Sequence, residues 1–240
     1  MLFALAAGSL TACAQAHRDG LTSRPDSGGV HLTDSPNGGN QDTGGGNIDA
    51  APHIDTPTGG GTQTLSQTTS NTDTQIGIAC GNSTAGTTAK NSYYRVFTLS
   101  DYGVTGTFHV QAVDFGVSSA TGSPPLKVSV GTYNGTAGGT TLPGTITLVQ
   151  STTINPGSGD TTEHVPLTAD ITGNLIVEID QTTAGTTSNG YQFYIAANAS
   201  GETKPGYILA TDCMVSVPTS MKSANSNMET DMVLTVTGST

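Results

Sequence analysis

Leu126-Lys127-Val128-Ser129-Val130-Gly131-Thr132-Tyr133 is the stretch that decides how this chain folds. Val128 and Val130 point one way, and Lys127 and Ser129 the other. That is the two-residue period of a strand with one face in a core and one toward water. The pattern returns elsewhere: Leu175, Val177 and Ile179 share a face, Val113, Phe115 and Val117 share another, and Phe193 and Ile195 oppose Tyr194. No long stretch carries the apolar period of a helix. Short β-rich runs, from Gln75–Ala79 to Met232–Thr237, recur between clusters of Gly, Asn, Pro and Ser. Half-buried antiparallel strands must cover their apolar faces with a second layer. The expectation is therefore all-β: an antiparallel β-sandwich of jelly-roll type over residues 73–240. The polar segment Thr219–Met228 reads as a long loop or a short helix.

Outward from these strands the composition changes. All seven tyrosines and four of the five phenylalanines lie after residue 72. Before it, from Ala14 to Thr72, there is no aromatic residue, and runs such as Gly44-Gly45-Gly46 and Gly59-Gly60-Gly61 punctuate a polar chain. Such a segment buries too little apolar surface to offset its ordering entropy. Residues 13–72 therefore read as a disordered linker, with a root-mean-square span of about 40–45 Å. His31 and His53 lie in it, too far apart for a metal site.

The three cysteines are Cys13, Cys80 and Cys213. An odd count in an exported protein asks for an explanation. If Cys13 is used separately, Cys80 and Cys213 are left either as a disulfide or as two buried thiols, and export to an oxidising compartment favours the bridge.

Charge narrows the partners. Seven basic and eighteen acidic residues give a net charge of −11, and the sandwich segment alone, with five basic and twelve acidic, carries −7. There is no basic patch and no tryptophan. Polyanion binding rests on Lys and Arg at phosphates, so nucleic acid is excluded as an expected partner.

A search for chemistry finds few candidates. There is no His-Glu-x-x-His, no Cys-x-x-Cys, no phosphate-cradling glycine loop and no Gly-x-Ser-x-Gly elbow. A catalytic triad in the sandwich would have to use His109 or His164. Glu178 and Asp180 share a strand face and read as a hydrated surface sooner than as an acid/base pair. Asp212, Glu229 and Asp231 would form an oxygen-only calcium site if the loop around Cys213 packs near the last strand. No other cofactor is implied. Exposed-ring stacking on a sugar would fall to Tyr102, Tyr133 or Tyr191. Arg95 sits between Tyr94 and Val96 in a strand, which suits a structural ion pair. Tyr93 and Tyr94 point to opposite faces, one expected inside and one out.

Two resemblances add to this. The apolar run from Met1 ends in Leu10-Thr11-Ala12-Cys13, with polar sequence directly after Ala14. This resembles a bacterial lipobox, in which the cysteine is diacylated and becomes the mature N-terminus. Residues 1–12 would then be a lipoprotein signal segment. They carry no Lys or Arg, so the expectation includes a true start upstream. The resemblance implies an exported protein held in the cell envelope, at the outer membrane or cell surface, by an acyl chain on Cys13. The stretches Asn47–Pro52 and His53–Pro57 are similar to the Ile-Asp-Ala-Pro spacers of some Gram-negative surface lipoproteins.

The second lies in the sandwich. Ser92-Tyr93-Tyr94-Arg95-Val96-Phe97, then Val113-Asp114-Phe115-Gly116-Val117, Tyr191–Asn198, Pro205-Gly206-Tyr207 and the closing Met232–Gly238 occur in order. They resemble an accessory β-sandwich domain of bacterial secreted proteins, often appended to proteases or to anchored surface proteins. The likeness implies a non-catalytic module and brings no ligand set. The expected function is a cell-surface lipoprotein presenting a binding or adhesion module. A carbohydrate-binding module and a hydrolase with an unrecognised site are the alternatives.

Overall fold

The computed structural model describes residues 14–18, 61–72, 76–82, 86–224 and 231–240. Its strands in chain order are β1 Ala14–Arg18, β2 Thr62–Ser66, β3 Ile76–Asn82, β4 Thr87–Thr88, β5 Ser92–Thr98, β6 Phe108–Thr121, β7 Leu126–Asn134 and β8 Thr145–Ile154. They continue as β9 Thr161–Ile171, β10 Asn174–Gln181, β11 Gln192–Asn198, β12 Tyr207–Ala210, β13 Val215–Ser220, β14 Asp231–Met232 and β15 Leu234–Ser239. A single helical turn, α1 (Met221–Ala224), lies within the polar segment read as loop or helix.

The pairing is nested. β7 pairs with β8, β6 with β9, β5 with β10 and β3 with β11, all antiparallel. These are the rungs of one long hairpin. Rolled up, it leaves β3-β11-β6-β9 in a nine-stranded sheet and β5-β10-β7-β8 in a six-stranded one. That is a jelly-roll scheme, the type expected from the number of strands and the turns between them. β12 and β13 extend the smaller sheet beyond β5. β6 is fourteen residues long. Its first half takes β15 as a neighbour and its second half takes β11.

Gly116 marks the change of neighbour. Its N–H bonds the carbonyl of Val233, and a Cβ there would lie 2.6 Å from that of Ala196. Only glycine allows this approach, which gives the Phe115-Gly116-Val117 motif a physical reason. The core between the sheets is built from the alternating residues. Tyr93, Phe115 and Phe193 cross it edge to face, with ring centroids 5.8 and 6.4 Å apart.

Two boundaries differ from the sequence reading. β2 lies within the stretch read as linker and pairs with β15, with Leu65 wholly buried. A strand with one apolar residue among Thr, Gln and Ser gives no visible alternation, so the composition hid it. β1 pairs with β3 in register Ala14↔Cys80, which interrupts the linker as read from Cys13 to residue 72. The signal segment and residues 19–60 lie outside the described residues.

β8 carries a bulge. Val130 pairs with Gln150 but Gly131 with Leu148, so Val149 is the extra residue. The bulge inverts the alternation. Ile146 reaches the outer face of the small sheet, whereas Ile154, of the same parity, packs on the core between the sheets.

Candidate functional site

The candidate site forms where three connections of the small sheet meet. The β7–β8 connection folds back over the sheet's outer face: Leu142 N–H bonds Pro218, Ser220 N–H bonds Thr140, and Gly138 N–H bonds the Tyr207 hydroxyl at 2.9 Å. The β11–β12 connection is tied to the segment after β2 by Thr69–Gly201 and Thr203–Gln67 backbone bonds and by a bridge between Thr68 and Glu202. The third wall is the end of β13, α1 and the start of β14. Together they enclose a cleft of about 600 Å³. Its lining includes the side chains of Thr140, Glu202, Lys204, Ser220, Lys222 and Asp231. Among the described residues no aromatic ring lines it.

Beneath the cleft lies Arg95. The strand period of β5 turns it inward with Tyr93 and Phe97, and it is 0% exposed. Its Nη2 donates to Glu202 Oε2 at 2.8 Å, the structural ion pair expected from the sequence. Nε and Nη1 have no hydrogen-bond partner among the described residues. Burial pulls the Arg95 guanidinium below its usual range, against the pull of Glu202. Burial also raises the Glu202 carboxyl to about 6, opposed by Arg95 and by the Gly206 N–H at 3.3 Å. Gly206 has to be small: a Cβ there would approach Arg95 Nη2 to 3.3 Å and Met232 Cβ to 3.1 Å.

Other charges are already engaged. Lys204 Nζ bonds Asp101 at 2.5 Å and Thr98 Oγ1 at 2.9 Å. Asp231 is buried and accepts the Gly201 N–H at 2.5 Å. Lys222 is exposed and has no ion-pair partner among the described residues.

The residues singled out from the sequence are dispersed. Tyr102 is half-buried, its hydroxyl donating to Ser66 at 2.7 Å and its ring tilted against Phe97; burial raises it to about 12. Tyr133 is buried in the outer-face cluster, its hydroxyl accepting the Gly144 N–H at 3.1 Å. Tyr133 therefore presents no open ring face as a stacking residue would. Tyr191 is half-buried at the start of β11. Asp212 is exposed in the 3-10 turn Thr211–Cys213, Asp231 is in the cleft wall, and Glu229 lies outside the described residues. Among the described residues no group of three or more His, Cys, Asp or Glu is placed to hold a metal ion. Cys13 lies outside the described residues. Cys80 and Cys213 form the disulfide, with Cα atoms 6.0 Å apart, and it joins the two sheets.

The histidines sit on the large sheet away from the cleft. His109 faces Asp170 and His164 faces Asp114, each at 2.7 Å across the β6–β9 pair. No serine among the described residues bonds either ring. Glu178 is half-buried and raised by burial, while Asp180 accepts from Ser92 at 2.8 Å.

Sequence reasoning missed Glu202, Lys204 and Lys222, which stand in no motif. One signal was present: three of the sandwich's five basic residues are Arg95, Lys204 and Lys222, and all three gather here.

No family model matches the chain. No curated protein sequence matches it either. Among solved structures it is similar to the cysteine protease and lectin-like domains of Cwp84, a surface-layer-associated protein of Clostridium difficile, at 13% identity and a TM-score of 0.44. The match covers 64% of this chain and 33% of that one, so the chain spans about a third of that structure's length.

Proposed function

We propose that this is an exported, envelope-anchored protein whose jelly roll is a non-catalytic binding module, with the cleft above Arg95 as its ligand site. The observation that carries the reading is the cleft itself. Its volume of about 600 Å³ falls within the usual range for ligand sites. Its carboxylates are held in place by Arg95, Gly201 and Gly206, and neither histidine of the sandwich lines it. Export is supported by the lipobox pattern at Cys13 and by the Cys80–Cys213 bridge, which suits an oxidising compartment. With Ala14 paired to Cys80, an acyl group on the preceding residue would hold the sandwich directly at a lipid surface.

The test uses the full chain, exported in a Gram-negative host. Binding to isolated cell envelopes is compared with that of Gly139→Trp. Gly139 lines the cleft, and a Cβ there meets nothing closer than 3.7 Å, so an indole at this position occupies the cleft wall, and a thermal melt checks that the variant folds. Binding lost in the variant supports the reading. Binding retained in the variant, or absent from the parent, rejects it. Mass spectrometry of the mature N-terminus reports separately on acylation of Cys13.

A further inference from the structure

We propose that the cleft is a site for an uncharged, hydroxyl-rich chain, a neutral oligosaccharide, held by hydrogen bonds without aromatic stacking. The inference rests on the cleft being the ligand site and names the chemical class of what enters it.

Charge is the first argument. Around the cleft the ionic groups pair off: Arg95 with Glu202, and Lys204 with Asp101. Asp231 and Lys222 then stand on its wall with opposite sign. An anion would meet Glu202 and Asp231, and a cation Lys204 and Lys222, so the wall favours neither sign over the other. A sugar hydroxyl donates and accepts at once. It therefore answers a carboxylate and an ammonium in the same cleft, which neither kind of ion does.

The lining is the second argument. Thr140, Thr203, Ser220 and Ser223 bring hydroxyls, and the glycines at 138, 139 and 201 bring the backbone within reach of a ligand. With no ring among the described lining residues, recognition falls to polar contacts.

Pre-organisation is the third. Glu202 is fixed by Arg95 at 2.8 Å, Asp231 by the Gly201 N–H, and the Ser220 hydroxyl bonds that of Ser223 at 2.7 Å. Groups already held in place lose little freedom when a ligand binds.

The experiment is affinity electrophoresis of the full chain in gels containing a neutral glucan, mannan or galactan, and in parallel gels containing polygalacturonate or dextran sulfate. Lys222→Ala and Asp231→Asn are run beside the parent, and thermal melts check their folding. Glu202 is left intact because its removal would strand Arg95. The expected result is retardation by a neutral polymer and none by the anionic ones, with each variant weakening retention about tenfold, the size of one charged hydrogen bond. Three outcomes overturn the inference: retardation by the charged polymers alone, neutral retention unchanged in both variants, or no retardation in any neutral polymer. If the last is seen while envelope binding stays sensitive to Gly139→Trp, the binding-module reading survives and only the ligand class is rejected.

Discussion

The inner and outer faces of the six-stranded sheet are built from the same strands, yet each buries apolar side chains under a different kind of cover. On β5, Tyr93, Arg95 and Phe97 turn toward the other sheet, and Tyr94 and Val96 turn away. The inner face is covered by regular structure, sheet against sheet. The outer face is covered by a connection: Leu142 and its neighbours fold back over Tyr94, Val96, Ile176 and Tyr207. The apolar inner face nonetheless takes in a guanidinium, while part of the outer face, which alternation assigns to water, is covered. Burial of a strand residue thus follows from what lies above it, and alternation reports only which side it is on. Packing between sheets should be costly to disturb, and packing under a loop should yield more easily.

The largest expected effect comes from cutting the link between the layers. The Cys80–Cys213 bridge spans 133 residues of sequence. Replacing both cysteines with alanine removes a chain-entropy contribution of about 5 kcal/mol. Urea titration measures the loss, and amide exchange locates it: β3 and β12 should open before the β7–β8 hairpin. Uniform opening would mean the bridge does not act on the inner face in particular.

Next is the charge inside that face. Glu202→Ala leaves Arg95 buried without its partner, at a cost of about 3–5 kcal/mol by urea titration at neutral pH. Glu202→Gln keeps an acceptor and should cost far less. The pH dependence has a definite sign. Burial raises Glu202 from 4.5 to about 6 in the folded protein, so its contribution to stability is fully present below the unfolded value and is lost as pH rises through 6. Stability should fall by about 1–2 kcal/mol between pH 4.5 and 7, on top of other titrations, and this component should vanish in Glu202→Gln. A slope of opposite sign would show that the pull of Arg95 outweighs burial.

A matched pair sharpens the contrast between the faces. Leu175 packs in the inner cluster and Leu142 in the outer one. Leu175→Ala should cost about 4 kcal/mol and Leu142→Ala about 2, because a loop can settle into the space left and a sheet interface cannot. Equal losses in thermal or urea unfolding would mean that the covering loop is as rigid as the sheets.

Much of this was legible in the chain. Alternation gave the strands and the sandwich, and the inward set Val113, Phe115 and Val117 is buried as read. The Arg95 ion pair could be anticipated, because an arginine in a strand flanked by apolar residues must find a carboxylate. Its partner could not. Glu202 lies 107 residues away in a connection, and no local pattern encodes which loop closes over which strand. Tyr93 and Tyr94 were placed correctly on opposite faces, yet both are buried, because the fold-back of the β7–β8 connection is a tertiary event. Tyr133 was a candidate for stacking on the assumption of an open face, and the same loop seals it. β2 escaped notice because only Leu65 marks it. The cleft was invisible for the same reason as its partners: three loops distant in sequence compose it.

The large sheet offers the smallest effect and a control for the buried pair. His109–Asp170 and His164–Asp114 are cross-strand pairs at the same 2.7 Å as each other, close to the 2.8 Å of Arg95–Glu202, but their imidazoles are 52% and 65% exposed. Water screens such pairs and side-chain entropy opposes them, so geometry alone does not make them count. His109→Ala and His164→Ala should each shift stability by less than about 0.5 kcal/mol in urea titrations at pH 7. Envelope binding should be unchanged in both, since neither ring approaches the cleft. Losses comparable to that of Glu202→Ala would mean that distance, and not enclosure, sets the worth of a polar pair in this protein, and the contrast between covered and open faces would fail with it.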